Sequence, residues 1–375
     1  MADERYCFLV EWYDGMASLI RRYHFMFYTR DNSVEMFDIK NNRLFLKRTK
    51  CDGVGLGHLY IGATLDLFSR QINFIDYGDD FTKQRLSQQK ERTLGIIKPD
   101  AINKVGQILD AVFQSGFKVT KLKMCRLTRN EAFSFYQEHQ SKTFFDTLIN
   151  FMTSGPVVAF ELMGTNAISQ WRELIGPTDS AEARKSAPIS LRARFGKDNT
   201  QNAIHGSDSV QSAAREVEFF FPSTMGPLRQ NTAKYTDCTC CVIKPHAVAA
   251  GNAGKIISAI MDAGFEVSCM QMFHMEKANT EEFYEVYKGV AQEYNAMVME
   301  LTSGPCIALE VRAQNAPIAF REMTGPADPE IARHLRPRTL RALYGIDKVK
   351  NAVHCTDLPE DGLLEIEYFF KVLDR

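Results

Sequence analysis

Over roughly the first eighty residues, apolar and polar side chains alternate in short runs rich in aromatic and β-branched types. Cys7-Phe8-Leu9-Val10-Glu11-Trp12-Tyr13 and Arg21-Arg22-Tyr23-His24-Phe25-Met26-Phe27-Tyr28 are two such runs. Asp14-Gly15, Asp31-Asn32-Ser33, Asn41-Asn42 and the glycine-rich stretch 53–57 separate them. This pattern predicts a small β-rich module. Within it, Arg43-Leu44-Phe45-Leu46-Lys47-Arg48-Thr49-Lys50 alternates like a hairpin strand with one solvated face. From 78 to 92 the chain turns polar and charged, as a partly helical linker would. The period then changes. A strand at 93–97 stops at Lys98-Pro99-Asp100, because proline cannot continue a central ladder. Helical spacing at 106–115 ends at Gly116, a strand follows at 117–127, and Thr128-Arg129-Asn130-Glu131 is a capping box opening a helix to about 139. A helix at 144–152, a strand at 156–162 and a helix at 167–175 closed by Gly176-Pro177 come next. A long irregular loop then leads through 191–195 to an apolar stretch ending at His205. The order β-α-β-α-α-β-α-β-α predicts a ferredoxin-like antiparallel sheet with helices on its faces.

Asn202-Ala203-Ile204-His205-Gly206-Ser207-Asp208-Ser209 sets an imidazole at a strand-to-helix corner. Asp208 or Ser209 can cap the following helix, 212–220, whose free N–H groups and positive dipole end favour an anion nearby. Glu216, two turns beyond Ser209, can fold back to hold one ring nitrogen and leave the other free to attack. Further along, Asn351-Ala352-Val353-His354-Cys355-Thr356-Asp357 repeats the arrangement, with Glu365 at the same spacing from its histidine. Ile97-Lys98-Pro99-Asp100 matches Ile243-Lys244-Pro245-His246, and Thr153-Ser154-Gly155-Pro156 matches Thr302-Ser303-Gly304-Pro305. A unit near single-domain size occurs twice, which predicts tandem globular domains rather than a solenoid.

Composition narrows the function classes. A chain of 375 residues with 45% hydrophobic side chains and a net charge of −1 is neither disordered nor a nucleic-acid binder by bulk charge. No run reaches the roughly 18 apolar residues that span a bilayer, and the N-terminus lacks a signal pattern, so an intracellular chain is expected. Nine cysteines, an odd count scattered among apolar runs, predict buried free thiols; Cys238-Thr239-Cys240-Cys241 lacks metal-ligand spacing and reads as a core strand. No P-loop is present, so a phosphate site here must be built from side chains.

These motifs, His-Gly-Ser-Asp-Ser above all with Lys-Pro-Asp upstream, resemble those of nucleoside diphosphate kinases. The first module, through Trp12-Tyr13-Asp14, Phe27-Tyr28, Phe45-Leu46-Lys47-Arg48 and Asp76-Tyr77-Gly78-Asp79, resembles the doublet-microtubule domain of ciliary proteins. The resemblance implies an α+β chain: a β-rich, PH-like module with linker at 1–91, then two tandem ferredoxin-like α/β-sandwich domains at 92–222 and 238–375. It implies His205 as the phosphorylated nucleophile, supported by Glu216 and Ser207. It also implies nucleotide binding by Lys98, Tyr136, Phe144, Leu148, Arg172, Thr178, Arg192 and Asn202. Phe144 would be the base platform, Asn202 the sugar contact, and Arg172, Thr178 and Arg192 the phosphate ligands. Mg²⁺ would arrive on the nucleotide, with no protein ligand of its own. The second copy keeps Lys244, Arg321, Arg341, Asn351, His354 and Glu365, but has Ala327 for Thr178, Cys355-Thr356 for Gly206-Ser207 and His246 for Asp100, and lacks the Phe-Phe pair near 289–294. Cys355 is expected to crowd the histidine corner, and activity is expected mainly in the first copy. Both loops before the second arginine, 177–192 and 326–341, are longer than in single-domain relatives, where that loop helps build hexamers. The two copies are therefore expected to pair within one chain. The implied partners are ATP and other nucleoside tri- and diphosphates, tubulin, axonemal doublet-microtubule proteins and the gamma-tubulin complex, with no nucleic acid or membrane. The implied places are cytoplasm, cytoskeleton, ciliary axoneme and centrosome or basal body. The competing expectation is a structural microtubule inner protein or centrosomal scaffold with incidental kinase activity.

Overall fold

A computed structural model describes residues 4–14, 17, 19–51, 54–68, 70–87, 91–223 and 229–374. Gly15, Gly53 and linker residues 88–90 lie outside the described residues. The chain divides into two compact units, Met1–Lys90 with Glu276–Ala278, and Glu91–Met275 with Asn279–Arg375.

The first unit carries β1 (Arg5–Asp14), β2 (Leu19–Tyr28), β3 (Ser33–Asp38), β4 (Arg43–Lys50), β5 (Thr64–Leu67) and β6 (Arg70–Tyr77). They form one antiparallel sheet in the order β4-β3-β2-β1-β6-β5. Alternation puts Phe8 and Val10 on the same face as their cross-strand partners Phe25 and Tyr23, all buried together with Phe74. The helix Asp80–Ser87 closes the unit, where the Thr82 hydroxyl accepts a 2.8 Å bond from the Cys7 amide. β4 departs from expectation. As an edge strand it is solvated on both faces, with only Leu46 and Thr49 half-buried, so its alternation does not report a buried side. Arg48 there is paired to Asp31 at 3.1 Å and lies over the Tyr28 ring at 3.8 Å.

The second unit holds β7 (Glu91–Ile97), β8 (Lys118–Cys125), β9 (Val157–Gly164) and β10 (Ile204–Gly206), then β11 (Cys238–Ile243), β12 (Glu266–Phe273), β13 (Cys306–Arg312) and β14 (Val353–Cys355). Each repeat is an antiparallel ferredoxin-like sheet. β8 and β12 join the two into one eight-stranded sheet, β10-β7-β9-β8-β12-β13-β11-β14. The helices Val105–Gln114 and Ala253–Asp262 cross over that joint, and a Cβ added to Gly106 would stand 2.4 Å from the Ser258 amide nitrogen, one added to Gly254 2.1 Å from that of Asp110. The two repeats thus pair within the chain, about a pseudo-twofold axis that relates Gly106 to Gly254 and Asp110 to Ser258. A buried ion pair locks the same joint: Lys123 of β8 donates to Asp374 at 2.6 Å, and Asn231 and Gln271 donate to the same carboxylate.

All nine cysteines are free and buried, Cys238, Cys240 and Cys241 in β11. The stretch expected as an irregular loop contains two short helices, Ser180–Ser186 and Leu191–Phe195. The first is capped by Asp179, which accepts from the Ala181 and Glu182 amides. Each is under two turns and buries only two or three residues, too few to imprint a helical period on the sequence. No helix of the described residues is long and apolar enough to cross a membrane.

Candidate active site

β10 lies antiparallel to β7, with His205 opposite Ile96, so the imidazole emerges on one face of the sheet and Gly206 faces the other. The ring packs edge-on against Phe135, at 5.5 Å between centroids, and Tyr136, at 6.2 Å. A Cβ on Gly206 would meet the Trp171 indole at 2.6 Å, so glycine is required here by the packing on the far face. The helix Val210–Phe220 begins at Ser209, whose hydroxyl accepts from the Ser212 amide; the cap is Ser209, with Asp208 turned toward the hydroxyls of Ser209 and Ser212. That helix carries Glu216 back to the corner, where its Oε2 meets His205 Nε2 at 2.8 Å and accepts a 2.7 Å bond from the Ser207 hydroxyl. Ser207 accepts in turn from the Leu94 amide at 3.2 Å. Burial works to raise the Glu216 pKa, but His205, Ser207 and Arg215 outweigh it and hold the carboxylate below its usual range. An ionised Glu216 fixes the proton on Nε2 and leaves Nδ1 with its lone pair free.

Cationic groups are held beside the strand that carries this ring. Lys98, at the end of β7, is buried and donates to Asn202 Oδ1 at 2.7 Å and to the Thr200 carbonyl at 3.2 Å. Burial first, and Arg192 second, push its pKa down to about 8. Arg192 donates to the carbonyls of Ile204 and Gly176, and burial together with the nearby Arg172 lowers it to about 10. Arg172 and Thr178 are exposed. Tyr136 is buried with its hydroxyl unpartnered among the described residues, and burial raises its pKa. Phe144, at the start of the helix Phe145–Met152, is 47% exposed with its ring 6.0 Å from that of His139.

Two of the expected nucleotide contacts, Leu148 and Asn202, are buried. Leu148, one turn beyond Phe144, is buried in the core beside Phe135 and Phe145, because that turn of the helix faces the sheet. Asn202 is also buried, and both ends of its amide are used within the chain: Nδ2 donates to the carbonyls of Thr178 and Asn199 while Oδ1 holds Lys98. It ties the arginine loop to the lysine. The residues whose part was not foreseen are Asp100 and Ala203. Ala203 sits at φ 66, a strained position for a residue with a Cβ, and its amide donates to Asp100 at 3.1 Å. An alanine gives no sequence signal of a left-handed conformation.

The family model described as nucleoside diphosphate kinase matches residues 91–225 and 237–374. The chain belongs to the nucleoside diphosphate kinase family. Residues 1–88 match the N-terminal PH domain of nucleoside diphosphate kinase 7. Proteins called nucleoside diphosphate kinase homolog 7, from Rattus norvegicus and Mus musculus, are each 57% identical over 373 residues, covering 100% of this chain and 94% of their own length. The nucleoside diphosphate kinase of Aquifex aeolicus is 55% identical over 133 residues, 35% of this chain and 94% of its own. The fold is accordingly a PH-like β module followed by two kinase domains.

In the second kinase domain the relay is rebuilt with different residues. His354 Nε2 meets Glu365 Oε2 at 3.0 Å, and Thr356 takes the part of Ser207, donating to Glu365 at 2.8 Å and accepting from the Cys240 amide. Cys355 does not crowd the histidine. It points to the opposite face, into the core with Phe320, which stands where the first domain has the larger Trp171. His246 replaces Asp100 without loss: its Nε2 accepts from the Ala352 amide at 3.2 Å, and its Nδ1 is held by Glu300 at 2.6 Å, while Ala352 repeats the strained φ at 71. Ala327 lacks the Thr178 hydroxyl but keeps the carbonyl that accepts from Asn351. Three features are lost. Lys244 donates to the Val349 carbonyl and not to Asn351, whose Oδ1 is left unpartnered among the described residues; Glu293 stands at the helix start where Phe144 is; and Arg321 is paired to Asp357. Burial and Arg341 lower Lys244 to about 7. Of the His354 side chain 6% is exposed, against 19% for His205, so the second corner is the more closed.

Proposed function

We propose that the first kinase domain passes the γ-phosphoryl group of a nucleoside triphosphate to a nucleoside diphosphate through a phosphohistidine at His205. The supporting observation is that Glu216 anchors Nε2 of His205, leaving Nδ1 free on a strand flanked by Lys98 and Arg192, with Arg172 close to Arg192. The Nδ1 lone pair attacks the γ-phosphorus, the bond to the β,γ-bridging oxygen breaks, and the diphosphate leaves with that electron pair. A terminal oxygen of a second diphosphate then displaces the ring in the reverse sense. Glu216 stabilises the positive charge the ring acquires, and the two guanidiniums and Lys98 meet charge on the phosphates. Enzymes of this family generally use Mg²⁺ with the nucleotide. Lys98, Arg172 and Arg192 suit a polyphosphate that brings its own ion. His205→Ala is expected to abolish acid-labile phosphoenzyme and nucleotide transfer, whereas His354→Ala leaves most of both; equal losses from the two sink the assignment.

The same proposal places the chain in the cytoplasm and on ciliary doublet microtubules or the centrosome, brought there by its first module. Its support is the match of residues 1–88 to the PH domain of nucleoside diphosphate kinase 7 and an exposed edge strand carrying Arg43 and Lys47, which suits acidic surfaces such as that of tubulin, with axonemal proteins and the gamma-tubulin complex as further partners. A mainly structural role is the second reading, favoured by the loss of the aromatic platform and the free arginine in the second domain.

A further inference from the structure

The second domain carries an anion in its phosphate corner, and the anion is its own. Asp357 lies three residues after His354, as Asp208 does after His205, yet the two carboxylates do different things. The hydroxyls of Ser212 and Ser209 at its own helix start, and Arg172 more weakly, hold the Asp208 carboxyl below its usual range. In the second copy those positions are Asp361 and Leu358, followed by Pro359, and the helix begins only at Asp361. Neither of those two positions offers Asp357 a hydroxyl. The carboxylate instead reaches across the mouth of the site, accepting from the hydroxyl of Tyr287 and pairing with Arg321. Tyr287 stands where the first domain has His139, so both partners of the bridge are in place only in this copy. The rest of the corner remains cationic, with Lys244 buried and Arg341 donating to the Val353 and Gly325 carbonyls, and the Tyr284 hydroxyl is buried without a partner among the described residues, like Tyr136 in the first domain.

We propose that Asp357 is an internal competitor for phosphate: bridged between Tyr287 and Arg321, it occupies the second domain's anion site and keeps a latent nucleoside diphosphate site closed. This rests on the reading of Arg172 and its counterpart Arg321 as phosphate ligands. A ligand whose phosphate must first displace a carboxylate loses affinity by the fraction of chains in which the carboxylate is seated. Removing the charge returns that loss.

Titration of the full chain with ADP and Mg²⁺, followed by calorimetry, tests this. The wild-type chain is expected to bind one ADP and Asp357→Asn two, the second-site affinity rising by roughly tenfold or more; Asp357→Asn combined with Arg321→Ala returns to one. Tyr287→Phe, which keeps the ring and removes the donor, is expected to shift second-site affinity in the same direction. Two equivalent sites in the wild-type chain, or no gained site in either Asp357→Asn or Tyr287→Phe, overturns the competitor. The gain is measured between variants. A wild-type chain that binds no ADP would therefore count against the first-site reading, while a site gained on Asp357→Asn would still support the bridge.

Discussion

Lys98 links charge to ligand at the scale of one residue. Its folded pKa lies near 8, well below the ordinary lysine value, so its charge is fully present below that pH and lost as the pH rises through it. A polyphosphate beside it favours the charged form and raises the pKa. Binding at about pH 8 is therefore expected to take up a proton, and ADP affinity to fall as the pH climbs above 8. Calorimetry in buffers of different ionisation enthalpy reads the uptake directly; Lys98→Met should abolish it. Phe144 predicts breadth of substrate by a different route. A half-exposed ring offers stacking, which every base can use, and no donor or acceptor to read a base edge. Phe144→Ala should cost about 1 kcal/mol of binding, near the low end of the stacking range, for purines and pyrimidines alike. A wild-type preference between bases above roughly a hundredfold in kcat/KM would mean that a polar reader of the base has been missed.

Between elements, the most demanding contact is the crossing of Val105–Gln114 with Ala253–Asp262. Glycine to alanine inside a helix normally gains about 1 kcal/mol of helix propensity. At Gly106 and Gly254 the new methyl would run into backbone of the facing helix, which cannot swing aside as a side-chain tip can. Overpacking of this kind costs about 1–3 kcal/mol. Each substitution should therefore lower the unfolding temperature; a rise would mean that the two helices stand further apart. The pseudo-twofold relation adds a condition, that Gly106→Ala and Gly254→Ala act in the same direction because each presses on the residue equivalent to the other's target.

At the scale of the whole chain, work is divided. The described residues of the first unit hold no histidine–carboxylate pair like those of the second unit, which contains both histidine corners. A chain beginning near Gln88 is expected to keep nucleotide transfer and to lose incorporation into axonemes. Microscopy of ciliated cells expressing the shortened chain decides it; normal incorporation would move the targeting role into the kinase domains.

The tandem organisation, the ferredoxin-like order of strands and the histidine with its carboxylate were all legible in the sequence, because they rest on local signals: hydrophobic period, proline and glycine stops, and a spacing repeated in two copies. The short helices Ser180–Ser186 and Leu191–Phe195 were not, since each buries too little to mark the pattern. What became of the second site was also invisible there. Cys355 read as an obstruction until alternation along β14 turned it to the other face, and His246 read as a loss until Glu300 supplied its partner from a distant helix. Asp357 read as part of a shared motif; only the fold brings Tyr287 and Arg321 within its reach. A sequence fixes which groups are available and their order along the chain. Which lone pair is free and which cation is already paired depend on contacts between residues far apart in that order, and those are settled by packing.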